Sequence, residues 1–162
     1  VVINDELAAI TAINHLARKG YKKISGVFGN QNLEITQSRK KGFLQALAKH
    51  ELAYYEEFCF HADTLVEAKR KFTKLLEQPI LPDAIFAMTD EILAGLIQAI
   101  YEKGLSIPEQ LAVICISNGN LPYYLNPQIT HIRHSGYVVG KTAVELLFDL
   151  KLMASVSPNL EF

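Results

Sequence analysis

Side chains able to grip a small polar molecule recur at four places in the sequence: Asn30, Gln31 and Asn32; His61 and Asp63; Thr89 and Asp90; and Ser117, Asn118 and Asn120. Amides, hydroxyls and carboxylates of this kind donate and accept hydrogen bonds, as a neutral polyhydroxylated ligand requires. Arg39 would add a planar donor fork that holds two adjacent oxygens. Each residue also has a plainer reading. From spacing alone Arg39 is a solvated member of the basic run Arg39, Lys40, Lys41, and Asp90 is a first-turn acid stabilising the helix after it. Thr89, Ser117 and Asn118 read as turn residues that satisfy local backbone groups.

Signatures of catalysis are missing. The sequence has no GxSxG elbow and no HExxH, and GVFGN is followed by no GK[ST] that would make a phosphate loop. His131 and His134, three apart in an extended segment, point to opposite faces and read as polar surface, not a metal pair. Cys115 falls in an apolar run, where burial raises a thiol's pKa and makes it inert. No cofactor is implied.

The elements that must position these groups follow from periodicity. Glu6 to Lys19 carries Ala9, Ile13, Leu16 and Ala17 at helical spacing, opens on Asn4 and Asp5, and stops at Gly20. Further helices are expected from Glu34 to His50, Leu65 to Gln78, Glu91 to Lys103 with Ile92, Leu96, Ala99 and Ile100 inward, and Val138 to Leu152. Between them lie strand-sized apolar runs at Ile24 to Phe28, Glu57 to Phe60, Ala84 to Met88 and Leu111 to Ile116, with a further short strand in QITHIRH. Strands recurring about every 28 residues with a helix between each pair predict an α/β fold with a doubly wound parallel sheet. In such a sheet ligands bind beyond the strands' carboxyl ends, where the polar loops above fall.

The chain has 162 residues, 16 Lys and Arg against 17 Asp and Glu, and 49% hydrophobic residues, enough apolar material for one core. A net charge of −1 lacks the positive potential that attracts nucleic acid or anionic membranes. Cys59 and Cys115, outside any CxxC pair, fit a reducing compartment. The start, VVINDELAAI, reads as the end of a strand and has no signal-peptide pattern. A cytoplasmic location without membrane contact is the expectation.

Longer strings are more specific. SRKKGFLQAL resembles the R-x-x-G-[FWY]-x-x-A-L element of the lac repressor family, and PDAIFAMTDEILAGLIQAIYEKGLSIPEQLAVICIS resembles that family's long central string. LNPQITHIRHSGYVVGKTAVELL is similar to its P-x-[LI]-T-[TY]-[IV] and G-x-x-A tail. The resemblance implies the effector-binding core of a LacI-type regulator, two-lobed like periplasmic sugar-binding proteins, with a DNA-reading helix-turn-helix upstream of this chain. Residues 1–120 would be the C-terminal lobe, 121–152 the return into the N-terminal lobe, and 153–162 a tail or return strand.

On that resemblance Arg39 matches the arginine that binds effector oxygens, Thr89 a position that touches effector, and Phe60 or His61 the loop that covers it. Ser117 stands where family members commonly carry an Asp, so Ser117 and Asn118, with Asp90, complete the expected effector set. The effector would be a sugar or sugar phosphate. A homodimer is expected through Leu96 on its helix and the loop Tyr123, Tyr124 and Leu125, where exposed aromatics suit an interface. The rival expectations are a periplasmic receptor feeding a transporter and an enzyme on the same fold.

Overall fold

A computed structural model of the chain describes residues 4–156. It contains α1 (Asp5–Arg18), β1 (Ile24–Phe28), α2 (Glu34–Lys49), β2 (Phe60–His61), α3 (Leu65–Leu75), β3 (Ala84–Ala87), α4 (Asp90–Glu102), β4 (Ala112–Ser117), a short α5 (Leu121–Tyr124), β5 (Thr130–Arg133) and α6 (Gly136–Val156). The strands form one parallel sheet in the order β2-β1-β3-β4-β5. Every residue of β1, β3 and β4 is buried, as strands covered on both faces must be. α1 packs along α2 and α3 along α4, and right-handed crossovers put the two pairs on opposite faces.

Local chemistry sets the helix ends. Asn4 Oδ1 accepts from Leu7 N at 2.8 Å, Thr64 caps α3 and Thr89 caps α4 through bonds to Glu67 N and Ile92 N. α1 stops at Gly20, whose φ of 93° suits only glycine well. Phe28, Phe43 and Phe86 lock α2 to the sheet centre, with ring centroids 5.4 to 6.0 Å apart.

Three expectations are corrected. The strand expected at Glu57 to Phe60 is a single 3₁₀ turn, Glu56–Phe58, followed by the two-residue β2. Ser25 Oγ donates to the Phe58 carbonyl at 2.6 Å, which takes that carbonyl out of any ladder while Phe58 drops into the core. α3 ends at Leu75, three residues early. The lobe also does not end at residue 120: Ile114, Cys115, Ile116 and Ser117 pair with Thr130, His131, Ile132 and Arg133, so β5 is the fifth strand of this sheet. Only α6 leaves it, with Tyr137, Val138, Val144, Leu146, Leu147 and Phe148 exposed. The strand end read at the start of the chain lies outside the described residues, as do residues 157–162 of the expected tail; residues 153–156 continue α6.

Candidate functional site

The chain leaves β1 toward β2 at the edge, then returns to β3 on the other side of β1, so the connections after β1 and β3 diverge. This topological switch point opens a crevice at the strands' carboxyl ends. A pocket of about 280 Å³ lies there, lined by Ile35, Arg39, Thr89, Asp90, Glu91, Ile116, Asn118 and His134. Of the residues expected to hold a ligand, Arg39, Thr89, Asp90 and Asn118 come together.

Arg39 is not solvated. It is 3% exposed, and its fork is anchored on two sides. Nη1 donates to the Met88 carbonyl at 2.6 Å; Nε donates to Asp5 Oδ1 at 2.8 Å, and Nη2 sits 2.6 Å from the same oxygen. Met88 is itself fixed, because its sulfur accepts Gly29 N at 3.3 Å. Of the five guanidinium N–H groups, those that point away from Asp5 and Met88 remain for a ligand.

Thr89 performs its capping role on the pocket wall, as the plainer reading held. Asp90 is the first residue of α4, and its Oδ1 is buried without a hydrogen-bond partner. Ser117 is 1% exposed, and its hydroxyl accepts Gly119 N at 3.2 Å and donates to Gly119 O at 3.3 Å. That side chain closes its own turn, leaving Asn118 to face the pocket.

Phe60 and His61 separate across the pleat. His61 turns toward the loop after β1, its Nδ1 2.7 Å from the Gly29 carbonyl and its ring beside Phe28. Phe60 points to the other face, into a larger groove of about 440 Å³ shared with Phe58, Lys71, Lys74 and Leu75. That groove lies along the sheet edge, away from the switch point, and Phe60 does not reach the pocket.

The dimer expectation needs one correction. Leu96 is fully buried, on the sheet-facing side of α4, and cannot meet a partner. Tyr124, in contrast, is 80% exposed; Tyr123 is exposed too, its ring set edge-on to His131 at 4.8 Å, and Leu125 is half-buried. Tyr101, exposed near the end of α4, joins this patch by donating from its hydroxyl to the Asn126 carbonyl at 2.8 Å.

His134, expected as polar surface, lines the pocket; its place just past the end of β5 is the available signal, once β5 is seen to belong to this sheet. Asp5 gave no local signal, since its partner lies 34 residues away. Both thiols are quiet: burial pushes Cys59 up, and burial with the Asp90 charge behind it pushes Cys115 well up.

A doubly wound parallel lobe with a pocket at its switch point is the architecture of one half of a periplasmic-binding-protein-type domain. The chain belongs to the periplasmic binding protein-like domain family, which matches residues 13–158, and its homologues are LacI-family repressors. The HTH-type transcriptional repressor CytR of Escherichia coli K12 is 30% identical over 150 residues, covering 92% of this chain and 44% of CytR. Catabolite control protein A of Priestia megaterium is 33% identical over 149 residues, 91% of this chain and 45% of that protein. The chain thus spans less than half the length of these relatives. Among solved structures, an uncharacterized protein from Actinobacillus succinogenes is 31% identical with a TM-score of 0.82, covering 91% of this chain and 55% of that one. Transcription regulator CcpA of Lactococcus lactis is 25% identical with a TM-score of 0.81, covering 99% and 57%. Among the described residues no helix is long and apolar enough to cross a membrane.

Proposed function

We propose that this chain is the effector-binding and dimerisation lobe of a LacI-type transcription regulator, acting without catalysis in the cytoplasm, and that its effector is a small sugar held in the switch-point pocket. The observation that carries this reading is Arg39: a buried arginine, anchored on two sides, lining a pocket at the point where doubly wound sheets take ligands. Its open N–H groups would donate to ring or hydroxyl oxygens, with Thr89, Asp90, Asn118 and His134 around the rest of the ligand. The repressor relatives favour a regulator over a transport receptor. Raised thiols and a self-satisfied Ser117 hydroxyl leave those groups without the activation a nucleophile needs.

A second lobe would close over the pocket, and the exposed apolar residues of α6 suit packing against it. Operator DNA would be read by residues outside this chain, and a ligand that favours the closed arrangement would shift the reading heads only through differential contact with the two states. Amide spectra of the chain titrated with D-glucose, D-galactose and D-ribose test the site at the low affinity expected of one wall. The expected result is saturable shifts at Thr89, Asp90, Asn118 and Gly119 with at least one of the sugars. Shifts confined to the groove at Phe60, or none at all, overturn the assignment.

The exposed Tyr101, Tyr123 and Tyr124 suit a homodimer contact, because large amphipathic rings supply much area at little entropy. Sedimentation velocity of the chain should show a dimer, and Tyr124→Asp should convert it to a folded monomer whose melting temperature falls only by what association contributed. A wild-type monomer at high concentration, or a dimer that survives the substitution, sinks this interface.

A further inference from the structure

Arg39 is the cation that faces the switch-point pocket together with two acids, Asp90 and Glu91, and its charge is already matched by Asp5. Asp5 belongs to α1, on the far side of Arg39 from the crevice, and its side chain is 18% exposed against 4% for that of Arg39. One oxygen, Oδ1, takes both Nε and Nη2, so Asp5 fixes the plane of the fork as well as its charge. Neither Asp90 nor Glu91 forms an ion pair among the described residues, and the nearer lysines are committed elsewhere. Lys41 pairs with Glu6 at 2.9 Å, and Lys40 lies over the Phe28 ring at 6.0 Å.

An effector phosphate arriving here would meet a neutralised arginine, the Asp90 carboxylate with its Oδ1 unpartnered, and Glu91, held by the Leu65 N–H at 3.3 Å but by no cation, whereas a neutral hydroxyl or ring oxygen would meet well-directed donors. We infer that Asp5 is a specificity-determining residue of the effector site: by neutralising and orienting Arg39 it makes the pocket select uncharged oxygen-rich ligands over phosphorylated ones. This rests on the reading of Arg39 as an effector contact. A bare guanidinium beside a half-desolvated pocket attracts a dianion strongly, and a carboxylate 2.6 Å behind it cancels most of that field. The bonds to neutral acceptors depend on the direction of the remaining N–H groups and survive the cancellation.

The test is a titration of the chain with inorganic phosphate and, separately, with D-glucose, read from backbone amide shifts at constant ionic strength. Wild type should respond to glucose at Thr89 and Asn118 and hardly at all to phosphate. Asp5→Asn, which keeps the size and removes the charge, should give phosphate shifts at those amides at least about tenfold larger at equal concentration, for one unit charge removed at short range. Asp5→Glu, which keeps the charge, should remain unresponsive, and Arg39→Ala combined with Asp5→Asn should abolish the gain. A role for Asp5 in folding alone would move none of these ratios. Phosphate shifts in wild type equal to those with glucose overturn the inference whatever the variants do, as does a folded Asp5→Asn that stays blind to phosphate. Glucose shifts without a phosphate gain overturn the role of Asp5 and leave the effector reading intact; no glucose shifts at all count against the effector reading itself.

Discussion

Replacing Arg39 with Ala should weaken sugar binding by about tenfold to a few hundredfold, since charge-assisted bonds contribute about 1.5 to 3 kcal/mol and 1.4 kcal/mol is a decade. The same substitution should also lower stability, which a solvated arginine would not do. It strands Asp5 Oδ1 and the Met88 carbonyl together, each of which loses a short bond inside the lobe. Removing one partner of a fully buried pair costs about 3 to 5 kcal/mol, and the partial exposure of Asp5 lets water recover some of that, so about 2 to 3 kcal/mol is expected. At about 2 to 4 °C per kcal/mol for a domain this size, the melting temperature should fall by about 4 to 12 °C.

The neighbouring Lys40 provides the contrast. Its ammonium lies over the Phe28 ring and it does not line the pocket, so Lys40→Ala should cost about 0.5 to 1 kcal/mol of stability and leave sugar binding alone. Arg39→Lys separates the two effects of the arginine: a lysine ammonium can still meet Asp5 but cannot reproduce the fork, so stability should recover much more than affinity. Thermal melts and amide-shift titrations of the three variants check this together. Equal, small losses for Arg39→Ala and Lys40→Ala would return Arg39 to an unremarkable surface role.

The framework of helices and central strands was legible because each carries its own periodicity and punctuation. α1, α2 and α4 begin and end within a residue of their expected limits, for local reasons: a capping Asn4, a capping Thr89, a glycine that can take positive φ. β2 was not legible, because its start depends on a bond from Ser25, 33 residues earlier, that holds the Phe58 carbonyl. The extent of the lobe was misjudged for a similar reason. THIR, its residues only half-buried or exposed, gives a weak signal, and what makes it a strand of this sheet is the edge that β4 offers it.

Leu96 carries a different lesson. Its helical period with Ile92, Ala99 and Ile100 already pointed it inward, and the structure agrees; the contrary expectation came from the resemblance, which assigns helices to an interface without saying which face. At the site the spacing of Arg39 within a basic run gave the wrong environment, while the resemblance marked it as a residue of consequence. Neither could see Asp5. A half-buried ion pair between two helices is decided by packing, and packing of α1 on α2 is decided in turn by what is absent between them.

That absence is Gly42. A Cβ added there would run into the Glu6 carbonyl and lie 3.0 Å from its carbon and 3.1 Å from Ala9 Cβ, so α1 and α2 touch backbone to backbone at this point. Gly95 does the same for α3 and α4, where a Cβ would strike the Leu65 carbonyl and sit 2.9 Å from Ala68 Cβ and 3.0 Å from Lys69 N. Backbone in a helix cannot step aside as a flexible side chain does, so the helices must part. Overpacking costs about 1 to 3 kcal/mol and more where backbone must move, against about 1 kcal/mol returned by the better helix propensity of Ala. A net loss of about 2 kcal/mol or more is expected for Gly42→Ala and for Gly95→Ala, read as a fall of about 4 to 8 °C or more in melting temperature. Gly140, in α6 with nothing within 4 Å of its added Cβ, should instead gain up to about 1 kcal/mol as Ala. Both substitutions should also be felt at the site. Gly42→Ala moves α1, and with it the Asp5 that holds Arg39, so it should weaken sugar binding beyond what its stability loss explains; Gly95→Ala displaces α4, whose first turn carries Asp90 and Glu91 on the pocket wall, and should weaken it too. If Gly42→Ala melted no lower than wild type, the close approach of α1 to α2 would be wrong, and with it the placement of Asp5 behind the fork.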